Sequence, residues 1–252
     1  MNEIFNPSRF GKYFVTDLKN CFTNFGMSLA VLGLSGVAFY ILGGLLFWSM
    51  GADFGIPDGT LNFIFSIGIV IIVMIMPKKC YGHLTDRLAG PAFMLVPAST
   101  FEKFLSMVVN CIVVIPGAFA LIFYGSEFLI SLIDKGHRFS LAAFSGSIMF
   151  DDIPINPFSA VDDIGGMIMI FLLGALCFKR HKTTYTLLCM IGGSIALSMI
   201  LLPVILNLIS HDPYRIAEKF SSEYAWMDIS YDLILLFACA AGVFFRLKTI
   251  KY

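Results

Sequence analysis

The side chains that could do chemistry are few in this sequence, and they are scattered. Its four histidines, His83, His137, His181 and His211, lie in separate segments, and no H-E-x-x-H motif pairs two of them to bind zinc. No G-x-S-x-G motif presents a serine nucleophile, and no G-x-x-x-x-G-K-[ST] loop is present to hold nucleotide phosphates. The sequence therefore predicts a protein that is not an enzyme and that carries no catalytic residue, cofactor or metal site.

The acidic residues give weak signals of a functional site. Asp232 falls inside an apolar segment, and an ionisable residue at membrane depth is a functional hypothesis by default. It also follows Trp226 closely, where a carboxylate suits the positive end of a helix dipole, and we favour that structural role. The pairs Asp151-Asp152 and Asp162-Asp163 could bind a divalent cation, but solvated loop charge or helix capping explains them more simply.

The elements that must position these residues are apolar helices. Of the 252 residues 58% are hydrophobic and 13% are charged, whereas a soluble domain carries about 25% charged residues. Each uncharged run approaches the about 20 residues that a helix needs to cross a bilayer. We predict an all-α integral membrane protein, a six-helix domain over 27–252. Its predicted spans are 27–48, 61–76, 104–126, 164–178, 183–210 and 226–245.

An amphipathic helix is expected ahead of the first span, over residues 1–26. Aromatic and aliphatic residues recur at helical spacing there, and the polar residues Lys12, Asp17 and Lys19 occupy other faces. A helix of this kind lies in the membrane interface as an elbow. The apolar positions are Phe10, Phe14, Leu18, Phe22 and Phe25.

The basic residues predict the orientation. Thirteen of the seventeen lie before the first span, between the second and third, between the fourth and fifth, or after the sixth. Because basic loops stay in the cytoplasm, both termini are expected there, as in a multi-pass protein of a bacterial inner membrane. The zero net charge does not suggest a nucleic-acid partner. No cysteine falls in an acidic loop, so no disulfides are expected.

Glycine and proline suggest how the spans pack. Gly36 and Gly43 lie on one face of the first span and predict a close helix contact that supports subunit association. Pro77 is expected to end the second span, and Pro116 to kink the third. The external loop 134–163 is long enough to be functional or mobile.

The loop 77–103 is the longest charge-bearing segment on the predicted cytoplasmic side. Its breakers at Gly90-Pro91 and Pro97 divide it into short pieces that suit a small helix on the membrane surface. Ser99 and Glu102 have the spacing of a capping box for the third span. We expect a soluble partner to dock here, on Arg87, Leu88, Phe93, Met94, Leu95, Pro97, Ser99, Glu102 and Lys103.

This loop resembles the coupling loop in permeases of the type-two ABC exporter superfamily. The resemblance lies in Gly90, Leu95, the run Pro97-Ala98-Ser99, and Glu102-Lys103 before Phe104. Val96 intervenes between the leucine and the proline, and Thr100 stands where a basic residue is common. The resemblance implies an elbow helix, six spans, a homodimer or a heterodimer with a related permease, and a separate ATPase that docks on this loop.

Two functions are therefore expected. The first is a permease subunit with a path between subunits, lined partly by the first, second and fifth spans. The alternative is a non-transporting membrane protein that acts as an assembly, sensory or partner-binding subunit. An intramembrane enzyme ranks below both because no catalytic constellation is present.

Overall fold

The computed structural model describes residues 5–51, 58–85, 90, 93, 95–133, 157–211 and 233–249. These residues form helices and short connections, without a strand, which confirms the predicted all-α class. A 3₁₀ turn, Gly82–Thr85, follows α3, and a π-helical turn, Asn110–Val114, joins α4 to α5. The helices are α1 (Pro7–Gly33), α2 (Ser35–Ser49), α3 (Asp58–Tyr81), α4 (Thr100–Val109), α5 (Ile115–Ile133), α6 (Pro157–Cys177), α7 (Lys182–His211) and α8 (233–249).

Several of these helices suit a membrane. Within the described ranges, four helical stretches are long and apolar enough to cross a bilayer. A fifth apolar stretch, Ile164–Cys177, is shorter, although α6 itself begins at Pro157, ahead of the expected start at residue 164. The four long stretches are Pro7–Ser49, Phe63–Thr85, Thr100–Leu132 and Lys182–Ile200.

The expected boundary between elbow and first span at residue 26 does not interrupt the helix. The Asn6 side chain accepts hydrogen bonds from the backbone N–H groups of Ser8 and Arg9, which caps α1, and α1 then continues to Gly33. A turn at Leu34 leads directly into α2. One buried stripe recurs every fourth residue on both sides of the expected boundary and holds α1 together: Tyr13, Asp17, Cys21, Phe25, Leu29 and Gly33.

The two prolines act differently from each other. The expectation that Pro77 ends the second span is wrong, because α3 continues through it to Tyr81. Burial of Met76 and Tyr81 at 0% exposure stabilises this extra turn and outweighs the hydrogen bond that proline removes. Pro116 follows directly on the π-helical turn Asn110–Val114, where the regular hydrogen-bond ladder is already interrupted.

The core lies where α1, α3, α4, α5 and α6 pack together, and α8 adds Val243 and Leu247 to it. The Phe65 ring of α3 lies 5.4 Å from that of Phe119 and 5.2 Å from that of Phe123, both on α5. Gly68 and Gly36 allow this close approach. A Cβ on Gly68 would lie 2.5 Å from Phe119, and one on Gly36 would lie 3.4 Å from Phe123.

Long-range contacts gather several chain segments at one end of the bundle. Arg9, near the start of α1, pairs with Glu102 in the first turn of α4. Lys182, at the start of α7, donates a hydrogen bond to the Gly82 carbonyl, and Arg246 of α8 donates to the Leu176 carbonyl at the end of α6. The N-terminal segment, the loop after α3 and the turn before α7 therefore meet at one level.

Candidate functional site

The end of the 77–103 loop is fixed by a buried carboxylate, that of Glu102. Arg9 Nε donates to Oε2 at 2.8 Å, and Arg9 Nη2 donates to Oε1 at 2.8 Å. The backbone N–H of Asn6 donates to Oε1, and that of Ser99 donates to Oε2, both at 2.9 Å. We call these four residues the Glu102 clamp. Charge-assisted bidentate bonds are among the strongest in proteins, so the clamp fixes the start of α1 to the start of α4.

Ser99 completes the capping box that its spacing predicted. Its hydroxyl accepts a hydrogen bond from the Glu102 backbone N–H at 3.2 Å, while the Glu102 side chain accepts from the Ser99 N–H. Two backbone donors at the start of α4 are thereby satisfied. The direction in which the loop enters α4 is therefore set locally, and the Arg9 contact then adds a tertiary constraint.

A second anchor holds the segment that precedes Ser99. Lys103 Nζ donates to the Phe93 carbonyl at 2.9 Å, and the ammonium lies 4.8 Å from the Phe93 ring centroid. Lys103 is buried and the Phe93 side chain is half-buried against the core, so both side chains are at least partly shielded from solvent. Leu95, two residues after Phe93, is instead 83% exposed.

The structure divides the described docking residues into three groups by their exposure. Leu95 and Pro97 are exposed and accessible. Glu102 and Lys103 are buried in contacts within the chain, so neither is available to a partner, and Phe93 and Ser99 are half-buried. Four of the predicted site residues lie outside the described residues: Arg87, Leu88, Met94 and Asp232.

One of the two glycines that were expected to support subunit association, Gly36, is buried within the fold of this chain. Gly36 is buried and faces Phe123 of α5, so its close contact is with the same chain rather than with another subunit. Gly43 is half-buried. Tighter helix contacts occur at glycines that the spacing argument did not single out. A Cβ on Gly174 of α6 would overlap Thr186 of α7, and one on Gly33 would lie 2.5 Å from Ile122.

A buried polar cluster, which sequence reasoning missed, lies beside the clamp. Asp17 Oδ2 accepts three hydrogen bonds, from the Tyr81 hydroxyl at 2.9 Å, the Ser106 hydroxyl at 2.5 Å and Asn110 Nδ2 at 3.0 Å. We call these four residues the Asp17 cluster. Cys21 extends it, because its thiol donates to the Tyr81 hydroxyl at 3.4 Å. Three donors on one oxygen stabilise a carboxylate in an apolar setting.

The placement of Asp17 corrects the expected orientation of α1. The sequence placed Asp17 away from the apolar face, yet it is 8% exposed and belongs to the buried stripe. The packing of α1 against α3 and α4 turns that stripe inward. One signal was available in the sequence: Ser106 and Asn110 are polar residues four apart at the start of a predicted span, so they share one helical face.

A cavity of about 310 Å³ opens between α1 and residues 93 and 96–98. Asp17 and Tyr13 line it from the buried side, and Lys12 and Arg9 contribute cationic side chains. Its opposite wall is apolar and includes Phe93, Val96 and Pro97. Among the described residues no group of three or more potential metal ligands occurs.

Comparisons of this chain with family models, with curated proteins and with solved structures found no match.

Proposed function

We propose that this chain is the membrane-spanning permease subunit of an ABC transporter, driven by a separately encoded ATPase that docks on the 77–103 loop. The observation that carries the proposal is Leu95, an 83% exposed leucine in a segment that is anchored immediately on both sides. Phe93 is held by Lys103 before it, and Ser99 is held by Glu102 after it. An exposed apolar side chain on a fixed support is what a partner groove recognises.

The contacts that anchor the loop also connect it to the neighbouring helices. The Glu102 clamp connects the loop to α1, and the capping box connects it to α4. On the side towards α3, the Gly82 carbonyl accepts a hydrogen bond from Lys182 of α7. A displacement of Leu95 by a partner would therefore reach helices on both sides of the loop. This arrangement supports coupling between an external motor and the membrane helices.

The proposed topology has six spans with both termini in the cytoplasm of a bacterium. The contacts of Arg9 with Glu102, Lys182 with Gly82, and Arg246 with Leu176 bring the basic segments to one end, as an even number of crossings requires. A reporter enzyme fused after Tyr252 should be active in the cytoplasm, and one inserted in 134–163 should be active outside. Activity of the C-terminal fusion outside the cytoplasm would contradict this topology.

The proposed assembly is a dimer, with a second copy or a related permease. Within α7, every residue from 191 to 200 is exposed, and a Cβ on Gly192 or Gly193 would meet no described residue of another helix within 4 Å. Small residues on an uncovered helix permit close contact with a neighbouring helix in the membrane. This supports a path between subunits that includes the proposed fifth span.

The decisive experiment changes Leu95 and measures the ATP hydrolysis that co-purifies in mild detergent from the native membrane. Leu95→Asp should lower it at least about tenfold, because a charge cannot enter an apolar groove without losing its hydration. Leu95→Met is the matched control and should retain the activity, since methionine has similar volume and polarity. Both variants should show the wild-type unfolding temperature, because Leu95 is exposed.

The same experiment separates the two functions considered. If wild-type protein carries no ATP hydrolysis but retains another protein that Leu95→Asp loses, the chain is a partner-binding subunit rather than a permease. If hydrolysis remains with both Leu95→Asp and Arg87→Glu, the loop is not the docking site.

A further inference from the structure

The cavity between α1 and residues 93 and 96–98 is lined by Asp17, whose second carboxylate oxygen, Oδ1, accepts no hydrogen bond from the described residues. All three hydrogen bonds of Asp17 reach Oδ2, and none from the described residues reaches Oδ1. Asp17 is nevertheless 8% exposed and lines the cavity. Oδ1 can therefore accept a hydrogen bond from a ligand that enters the cavity.

A buried hydroxyl oxygen, that of Tyr13, also faces this cavity. Tyr13, one helical turn before Asp17, is also 8% exposed, and its hydroxyl has no hydrogen-bond partner in the described part of the chain. A hydroxyl can donate and accept. A group that carries several N–H donors would satisfy Asp17 Oδ1 and leave a further donor for Tyr13. A primary ammonium has three such donors.

Charges near the rim differ in sign from those deeper in the cavity. Lys12 is exposed and lines the cavity, and its ammonium makes no hydrogen bond or ion pair with a described residue. Arg9 lines it too, with its charge balanced by Glu102, and His83 contributes an imidazole. A negative group is buried and a cation stands at the opening, so the cavity complements a zwitterion whose ammonium enters first.

We propose that this cavity binds an ethanolamine phosphate group. Its ammonium donates to Asp17 Oδ1 and towards Tyr13, and its phosphate stays at the rim beside Lys12. The apolar wall of Phe93, Val96 and Pro97 lies along the carbon atoms that connect the two charges or follow the phosphate. This group is the headgroup of an abundant class of phospholipid and also exists as a free phosphomonoester. The inference holds for a permease and for a partner-binding membrane protein alike.

Binding is measured on the full chain in detergent, by native mass spectrometry with short-chain phospholipids. The ethanolamine lipid should bind about tenfold more tightly than the choline lipid, because a quaternary ammonium has no N–H to donate to Asp17. It should also bind more tightly than the glycerol lipid, which has no cation. Calorimetry with free O-phosphoethanolamine distinguishes the source: measurable binding identifies a soluble ligand, and binding of the lipid alone identifies a membrane headgroup.

Three variants test the roles of the lining residues. Asp17→Asn keeps the shape but removes the charge, and should abolish the preference for ethanolamine over choline. Lys12→Gln should weaken ethanolamine-lipid binding about threefold to tenfold, through loss of one exposed charge pair with phosphate. Lys19→Gln, an exposed lysine of the same helix that does not line the cavity, is its matched control and should change nothing.

Val96→Trp keeps the inference testable even if Asp17→Asn proves unstable. It fills the cavity from the opposite wall without touching the Asp17 cluster, and should abolish binding, whereas Val96→Ala should not. Equal binding of the ethanolamine, choline and glycerol lipids, unaffected by Lys12→Gln and Val96→Trp, would overturn the inference and leave water as the occupant.

Discussion

Two regions of this bundle differ in how they are held: the start of α1 makes polar contacts with other helices, whereas the middle of α7 is exposed. Near the start of α1, the Glu102 clamp and the Asp17 cluster bury charged and polar groups against α3 and α4. In α7, residues 191–200 are exposed, and the hydroxyls of Ser194 and Ser198 donate only to carbonyls of their own helix. One region is fixed by specific partners, and the other makes no such contact with another described helix along these turns.

This difference shows how the position of a helix is fixed inside an apolar environment. Apolar packing alone distinguishes weakly between one helix neighbour and another, because lipid tails are as apolar as leucine. Hydrogen bonds and ion pairs do distinguish, since an unpaired polar group is costly there. The start of α1 is therefore locked to α3 and α4. α7 is held chiefly near its base, where Lys182 donates to Gly82 and Thr186 packs on Gly174.

The largest expected effect comes from removing the centre of the Asp17 cluster. Asp17→Ala leaves the hydroxyls of Tyr81 and Ser106 and the amide of Asn110 without their acceptor. We expect it to lower the free energy of unfolding by about 3–5 kcal/mol, and the apparent unfolding temperature by about 10 °C. Thermal unfolding in detergent measures this. A shift below about 2 °C would mean that the cluster does not stabilise the junction.

Loss of the clamp should have the next largest effect. Glu102→Ala removes the acceptor of Arg9, Asn6 and Ser99, and should cost about 2–3 kcal/mol because Arg9 retains partial access to water. Combining it with Arg9→Ala in a double-mutant cycle isolates the ion pair. A coupling of about 1 kcal/mol or more is expected. Additive single effects would show that the two residues act independently.

The smallest effect compares matched glycines of the two regions. Gly36→Leu places a side chain against Phe123 and should cost about 1–3 kcal/mol of chain stability. Gly192→Leu adds the same atoms where no described residue of another helix lies within 4 Å of the new Cβ, and should cost less than about 0.5 kcal/mol. Chromatographic size completes the test: a smaller assembly with Gly192→Leu alone would place the subunit contact on α7. Equal loss of stability in both variants would remove the contrast between the regions.

Local sequence information was sufficient for the helical class and for one detail of the site. The apolar runs predicted the helices because each run is longer than any strand or loop would need, and the periodicity acts over neighbouring residues. The capping box of Ser99 and Glu102 was predicted for the same reason, since its two partners are three residues apart. The helix does not end at the boundary expected at residue 26, because nothing in the chain near that position breaks a helix.

Only the tertiary structure decided which polar residues are buried and what they contact. The partners of Glu102 and Asp17 are remote in sequence: Arg9 lies 93 residues from Glu102, and Tyr81 lies 64 residues from Asp17. The same is true of Pro77, whose helix continues because Met76 and Tyr81 find a core to fill. A carboxylate on a helix has the same sequence signature whether it faces water or three donors. The free energy that separates the two outcomes comes from groups that folding brings together, so a single sequence cannot reveal it.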